Sequence, residues 1–513
     1  MRSPDAPRMA RSNTPGTAAS SSSSGSSCPR RDRLAYVANT TIGPLRAHRA
    51  SSAGLVVHRT SRASSSGSEP RLHDATAGPE CPTARHASTV CVSSSSVGTT
   101  IPTSPRGNIR NAAAAAVIVL PDPVDDTTCP RRPRAGTTPS AGTESQAVST
   151  IGVGIIGGSQ GGWASISHIP ALNALPDCEL RAVSTSRLES AQAAAKEFGV
   201  QGAYDHHADL LAHPGVDVVV VAVKVPYHRE LISVAIAANK TVYAEWPLAL
   251  NLTEATELTQ RAEAAGVRTV IGLQGRYHPG LRYARQMIEE GRIGRVIGTT
   301  MVASGMVWGP QTTKNHTYWF DNNQGATLLT AAALHAVDAL NVTLGEFEHL
   351  SANLVVGRKE VTVTDDGGKV VPVTAPDQIA LIGTLEGGAA ASVFYRGGVS
   401  RGDNFRWEIN GTDGDIVVTA PWGNLQVTDL TVEAGFGEDT TVAPVEVPAE
   451  YTRDIPEALS GPSKNVAALY TNLARDLRDG TRTVPDFTYA HRRHQLLEAV
   501  EQSSAERVSK PSR

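Results

Sequence analysis

The chain has 513 residues, 40% hydrophobic and 19% charged, with a formal net charge of −3. These averages merge two unlike stretches: residues 1–150 hold 17 Arg, 9 Asp+Glu and no Lys, and the remainder holds 30 Lys+Arg against 41 Asp+Glu. The acidic remainder lacks the basic footprint that a nucleic-acid surface needs, so nucleic acid is excluded as a partner.

Residues 1–148 read as a disordered, low-complexity tail. The first 150 residues contain 25 Ser, including the runs Ser20–Ser24 and Ser93–Ser96, and show no apolar periodicity. Such a segment has little to bury against the entropy of ordering. Two explanations stand: an Arg-rich, Ser-rich, acid-poor leader of unusual length, or text that is not native to the protein, whose true start lies near residue 145. The apolar run Ala112–Leu120 spans nine residues, well short of the roughly 20 that cross a bilayer, so no membrane association is expected. Cys28, Cys81, Cys91 and Cys129 lie in the tail, and Cys178 alone lies beyond it. No spacing resembles a metal site, and a lone cysteine suits a reducing cytoplasm.

From residue 149 to 273 the pattern predicts a Rossmann dinucleotide-binding domain. Ile151–Ile156 reads as a strand, Gly157 to Gly162 as a glycine turn, and the stretch through Ile166, Ile169 and Leu172 as a helix. Such a turn admits a diphosphate to backbone N–H groups at a helix start. Gly157 and Gly162 hold the first and third glycine places, and Ser159 holds the second. Strands are predicted at Leu180–Thr185, Val216–Val223, Thr241–Ala244 and Arg268–Leu273. Between them lie helices at Leu188–Phe198, stopped by Gly199, and at His228–Ala238, and one capped by Asn251 and Glu254. Strands alternating with helices imply a doubly wound parallel sheet. At the second strand's end an acid normally accepts the ribose hydroxyls of NAD, but here Thr185, Ser186 and Arg187 follow. Hydroxyls and a guanidinium suit the extra phosphate of NADP, so NADP is favoured over NAD.

Val225-Pro226-Tyr227-His228 and the stretch from Asn239 to Leu250, containing Glu245-Trp246-Pro247, resemble signatures of the Gfo/Idh/MocA oxidoreductases. So does Gly272–Gly294, with Gln274-Gly275-Arg276-Tyr277-His278-Pro279. The resemblance covers residues 151–505. It implies a second α/β domain over 274–505, with an open-faced, largely antiparallel sheet that often forms a dimer surface, and hence a homo-oligomer. Alternation at 295–304, 349–357, 378–386 and 389–396, then at Trp407–Asn410, Asp415–Thr419 and Leu425–Val427, suits that sheet. A helix over Asn465–Leu477 would pack back toward the domain junction.

The resemblance implies a cofactor site of Gly157, Ser159, Gly162, Thr185, Ser186, Arg187, Lys224, Pro226, His228, Glu245, Trp246 and Gln274. Arg276, Tyr277 and Trp319 are expected to touch a sugar or polyol substrate. Active family members share a Lys in E-K-P and an Asp and a His four residues apart, on one helix face. This chain keeps the histidine as His335 but has Trp246 and Ala331 at the other two places. His335 reads either as acid/base or as a buried core histidine, Lys224 as a substitute cation or a solvated strand-end lysine. Together with Ser159 and Lys224, Trp246 makes the chain similar to the fungal galactose-gene repressor. Two functions follow: an NAD(P)-dependent oxidoreductase acting on a sugar or polyol, or a catalytically silent dinucleotide sensor working through a protein partner.

Overall fold

The computed structural model describes residues 150–506. The tail and its run Ala112–Leu120 lie outside the described residues. In the Rossmann half, β1 (Ile151–Ile156), β2 (Cys178–Ser184), β3 (Gly202–Tyr204), β4 (Val218–Val221), β5 (Thr241–Glu245) and β6 (Thr269–Gly272) form one sheet. Its order is β3-β2-β1-β4-β5-β6 and every pairing is parallel. The order reverses between β1 and β4, where such sheets bind ligands at their carboxyl edge. The four valines of β4 are wholly buried, as an unbroken β-branched run in a doubly covered sheet requires.

The helix predicted after the glycine turn is two short ones, α1 (Trp163–Ile166) and α2 (His168–Ala174). Ser167 between them leaves helical geometry and its hydroxyl donates to the Trp163 carbonyl at 2.6 Å, so a local side-chain bond competes with the helix. The sequence pattern missed β3 and α4 (His207–Leu211), which are too short to show a period. Helices α3 (Leu188–Phe198), α5 (His228–Ala237) and α6 (Leu252–Ala265) lie where expected. Gly199 ends α3 in the left-handed region, at φ 73°. At the start of α6 the Asn251 side chain accepts from Glu254 N–H at 3.0 Å, and the Glu254 carboxylate accepts from Leu250 N–H at 3.2 Å.

The second half begins with α7 (Pro279–Glu289) and β7 (Val296–Gly305), followed by β8 (Gln311–Thr312) and α8 (Leu334–Leu344). Strands β9 (Phe347–Val355), β10 (Glu360–Val363), β11 (Lys369–Pro372), β12 (Gln378–Leu385) and β13 (Ala390–Gly397) come next. They are followed by β14 (Phe405–Gly411), β15 (Gly414–Ala420), β16 (Thr431–Phe436) and β17 (Ala443–Pro444). Eight of these strands form a sheet ordered β17-β16-β15-β14-β7-β13-β12-β9, antiparallel except where β13 meets β7. Strands β11, β10 and β8 form a separate small sheet. Leu425–Val427, expected as a strand, is a 3₁₀ turn. One face of the large sheet is core: Val393 and Tyr395 of β13 and Trp407 of β14 are buried, and the Trp407 indole N–H donates to Thr299 Oγ1 at 2.8 Å. The opposite face leaves Val302, Ile382 and Phe394 exposed, the open face that the resemblance implied.

Two C-terminal helices tie the halves together. α9 (Pro462–Asp479) packs on α2, and α10 (Phe487–Glu506) packs on both α6 and β9. The Ile271 N–H at the edge strand β6 donates to the Pro485 carbonyl at 2.8 Å, which covers that edge.

Two buried histidines serve as neutral scaffold. His278 caps α7, accepting from Gly280 N–H at 3.1 Å, and burial pushes its pKa down to about 4. His494 of α10 packs 4.9 Å from the Trp246 ring, and burial pushes its pKa down to about 3. Because both folded values lie below the unfolded value of about 6.5, unfolding takes up protons as pH falls from there toward 4. Stability is therefore full above pH 6.5, and about 2 kcal/mol per histidine is lost by pH 5. Urea unfolding at pH 7 and pH 5 measures this, and replacing His494 by Gln should flatten the slope.

Candidate functional site

β1 delivers Gly157 to the sheet's carboxyl edge. Its φ is +98°, and a Cβ there would lie 2.3 Å from the Ala222 carbonyl oxygen beyond β4. Glycine alone allows this approach. The Gly157 and Gly158 N–H groups both point at the Ser184 carbonyl, at 2.9 and 3.4 Å, pinning the loop to β2. Ser159 fits the second glycine place because the turn folds over it. Gly162 N–H donates to its carbonyl at 3.2 Å, and a Cβ on Gly162 would meet the Ser159 hydroxyl at 3.2 Å. The result is a glycine-rich backbone turn leading into α1, which suits the diphosphate of a dinucleotide.

Thr185, Ser186 and Arg187 bring hydroxyls and a cation to the end of β2. Thr185 Oγ1 donates to the Arg187 carbonyl at 2.9 Å, and Ser186 and Arg187 are exposed, with no ion pair to Arg187 among the described residues. At the end of β4, Pro226 sits exposed in a 3₁₀ turn. His228 is 1% exposed, and its ring nitrogens lie 3.2 Å from the Leu248 carbonyl and 3.1 Å from the Val223 carbonyl. It braces the two loops at the sheet edge, and burial lowers its pKa.

Lys224 is exposed and reaches the second half, its ammonium 4.5 Å from the Tyr318 ring centre. Tyr318 belongs to the 3₁₀ segment Lys314–Phe320, which also carries Trp319. His316 stacks on Trp319 at 4.1 Å and 10°, and Trp308 closes the group 5.7 Å from Trp319. A half-buried aromatic wall opposite an ammonium is therefore present at the mouth of the β4 edge.

Glu245 ends β5. Its carboxylate takes a bond from His168 Nε2 at 2.9 Å, and Gln274 Nε2 lies 3.4 Å away. Gly272 leaves it room, since a Cβ there would lie 2.6 Å from Glu245 Oε1. The next residue, Trp246, was expected among the cofactor contacts. It is instead 6% exposed, part of the core, and its indole N–H donates to the Thr330 carbonyl at 3.0 Å. The bond from Trp246 to Pro247 is cis. Thr330 lies in a π-helical turn, Leu329–Ala333, that runs into α8. The neighbouring carbonyl of Ala331 accepts from Gln426 Nε2 at 2.7 Å. π turns release backbone carbonyls from helix bonding and often sit at sites.

His335 follows in the first turn of α8. It is 5% exposed, and its Nδ1 is buried without a hydrogen-bond partner. Burial pushes its pKa down to about 4, with Glu245 and Asp338 opposing. The imidazole is thus neutral at physiological pH and retains an unused ring nitrogen. Asp338 belongs to a different partnership. It accepts from Arg276 Nε at 3.0 Å, from Arg276 Nη2 at 2.5 Å and from Tyr489 Oη at 2.8 Å. Arg276, expected to touch substrate, is therefore committed to a buried fork, and Tyr277 packs into the core beside it. Sequence reasoning missed His168, Tyr470, Gln426 and Tyr489; each meets the site from a distant segment and carries no local motif.

Replacing Gly157 by Ala should cost about 1–3 kcal/mol and abolish NADH binding, since its Cβ meets backbone. Gly161, at φ +69° with nothing within 4 Å of a Cβ, should accept Asn with little loss, because Asn tolerates that region. Urea unfolding and fluorescence titration with NADH check both.

Residues 151–273 match the oxidoreductase family with an NAD-binding Rossmann fold, and residues 279–420 match the Gal80p C-terminal domain. The dehydrogenase aclE of Aspergillus oryzae is 33% identical over 251 residues, covering 47% of this chain and 68% of its own. Levoglucosan dehydrogenase of Pseudarthrobacter phenanthrenivorans is 25% identical over 291 residues, covering 52% and 73%. The solved super-repressor mutant of Gal80p from Saccharomyces cerevisiae superposes with a TM-score of 0.64 at 23% identity, over 70% of this chain and 96% of that one. With a nicotinamide-dinucleotide-binding Rossmann half and a Gal80p-like second half, this chain belongs to the Gfo/Idh/MocA oxidoreductase family.

Proposed function

We propose that the chain is an NAD(P)-dependent oxidoreductase that oxidises a hydroxyl of a sugar or polyol, with His335 accepting the hydroxyl proton. The observation that carries this reading is the neutral His335 imidazole with its unpaired Nδ1, held on a helix within electrostatic reach of Glu245. A base must be unprotonated at working pH, and burial achieves that here. The glycine loop binds the diphosphate, and Thr185, Ser186 and Arg187 meet the ribose, with Arg187 favouring the 2′-phosphate of NADP. The nicotinamide, when bound, takes up hydride from the carbinol carbon. Lys224 supplies positive charge at the cleft mouth, and Trp319 and Tyr318 offer flat faces to a sugar ring. Cys178, the one cysteine among the described residues, is buried and free, which fits a reducing cytoplasm. A second copy would cover the open sheet face.

One observation favours a second reading. Trp246 stands where active relatives have lysine, its indole bonded to the helix backbone, and Ala331 provides no carboxylate. A Gal80p-like second half with these two substitutions suits a silent sensor that holds a dinucleotide and signals through a protein partner.

Absorbance at the reduced-nicotinamide band, with a panel of sugars and polyols, separates the two. Turnover that His335→Ala reduces by at least about 100-fold supports the oxidoreductase. Cofactor binding without turnover on any substrate, joined to a cofactor-dependent protein pull-down, supports the sensor. Arg187→Ala should weaken NADPH binding about tenfold and leave NADH binding unchanged, a cost of one charge-assisted contact.

A further inference from the structure

Away from the glycine loop and the Lys224 cluster, α7 and α8 border a cavity of about 280 Å³. None of its lining residues belongs to either of those groups. Three arginines line it, Arg276, Arg282 and Arg285, with Glu289 among the lining residues and Glu290 accepting from the lining Gln286. Of the three, Arg276 holds Asp338 through Nε and Nη2, and Nη1 stays outside that fork. Arg285 pairs with Glu289 at 2.7 Å, but both side chains are about half exposed, so the pair is readily exchanged for another anion. Arg282 has no ion pair among the described residues; its guanidinium lies 5.2 Å from the Tyr451 ring, another wall of the cavity. Leu281, Ala339 and Val342 supply an apolar side.

Guanidinium groups recognise oxyanions through paired N–H donors, and several around one concavity favour a ligand with more than one negative group. We infer that this cavity binds a small metabolite bearing two or more oxyanion groups, at a site separate from that of the dinucleotide. The occupant would rest against Arg276, whose partner Asp338 lies one turn beyond His335 on α8. The inference does not require turnover or dinucleotide binding.

Isothermal titration of the full chain at fixed ionic strength, with citrate and separately with inorganic pyrophosphate, tests it and distinguishes carboxylate from phosphate ligands. The expected result is saturable 1:1 binding of at least one probe. Arg282→Gln and Arg285→Gln should each weaken it about tenfold, and Arg292→Gln should leave it unchanged. Arg292 lies over Phe436, outside the cavity lining. All three residues are surface arginines, so the variants should fold, and circular dichroism verifies that. Absence of saturable heat for both probes up to about 10 mM overturns the inference. So does binding that both cavity exchanges leave intact, as capture at the glycine loop would give, or binding that all three exchanges weaken alike.

Discussion

The carboxylate of Glu245 is the point from which the site is built. It is the last residue of β5, and His168 of α2 reaches it with one ring nitrogen while the other contacts the Tyr470 hydroxyl at 2.8 Å. With Nε2–H donating to the carboxylate, Nδ1 accepts from tyrosine. A sheet strand, the helix that follows the glycine loop and a C-terminal helix are thereby joined in one buried line. Gln274 approaches the other carboxylate oxygen, and Gly272 makes the space. A buried polar network of this kind fixes geometry only if its members are paired. Here it ties β5, α2 and α9 together through His168 and Glu245.

The second organising element is the π-helical turn ahead of His335. Its carbonyls at Thr330 and Ala331 are taken by Trp246 and by Gln426, from two unrelated segments. The indole at position 246 is therefore a structural tie. It packs in the core and bonds across the two halves, to the helical turn that precedes His335.

The fold was legible in the sequence where a period or a punctuating residue carried it. The run Val216–Val223 announced a covered strand, found at Val218–Val221, Gly199 a helix end and Asn251 a helix start. The glycine loop and the position of His335 were legible through motif spacing. What was not legible depended on particular side-chain bonds, some of them to partners distant in sequence. His228 carried a family signature, yet its two nearby carbonyls make it scaffold. Arg276 looked like a substrate contact, but Asp338 lies 62 residues away and claims it. Ser167 broke a helix through a hydroxyl bond that no hydrophobic pattern reports. Leu425–Val427 alternated like a strand but lacked a neighbouring strand to pair with, and α10 was missed because apolar and polar residues are spread around it with little asymmetry.

The clasp formed by α10 has a bearing on biosynthesis. Phe487 N–H donates to Thr269 Oγ1 at 3.1 Å, Thr259 Oγ1 donates to the Phe487 carbonyl at 3.2 Å, and Pro485 completes the edge of β6. The nucleotide-binding half is encoded first, but its outer strand and α6 stay partly uncovered until these late residues leave the ribosome. During elongation the nascent half therefore carries an unsealed margin until Pro485 and Phe487 have been made.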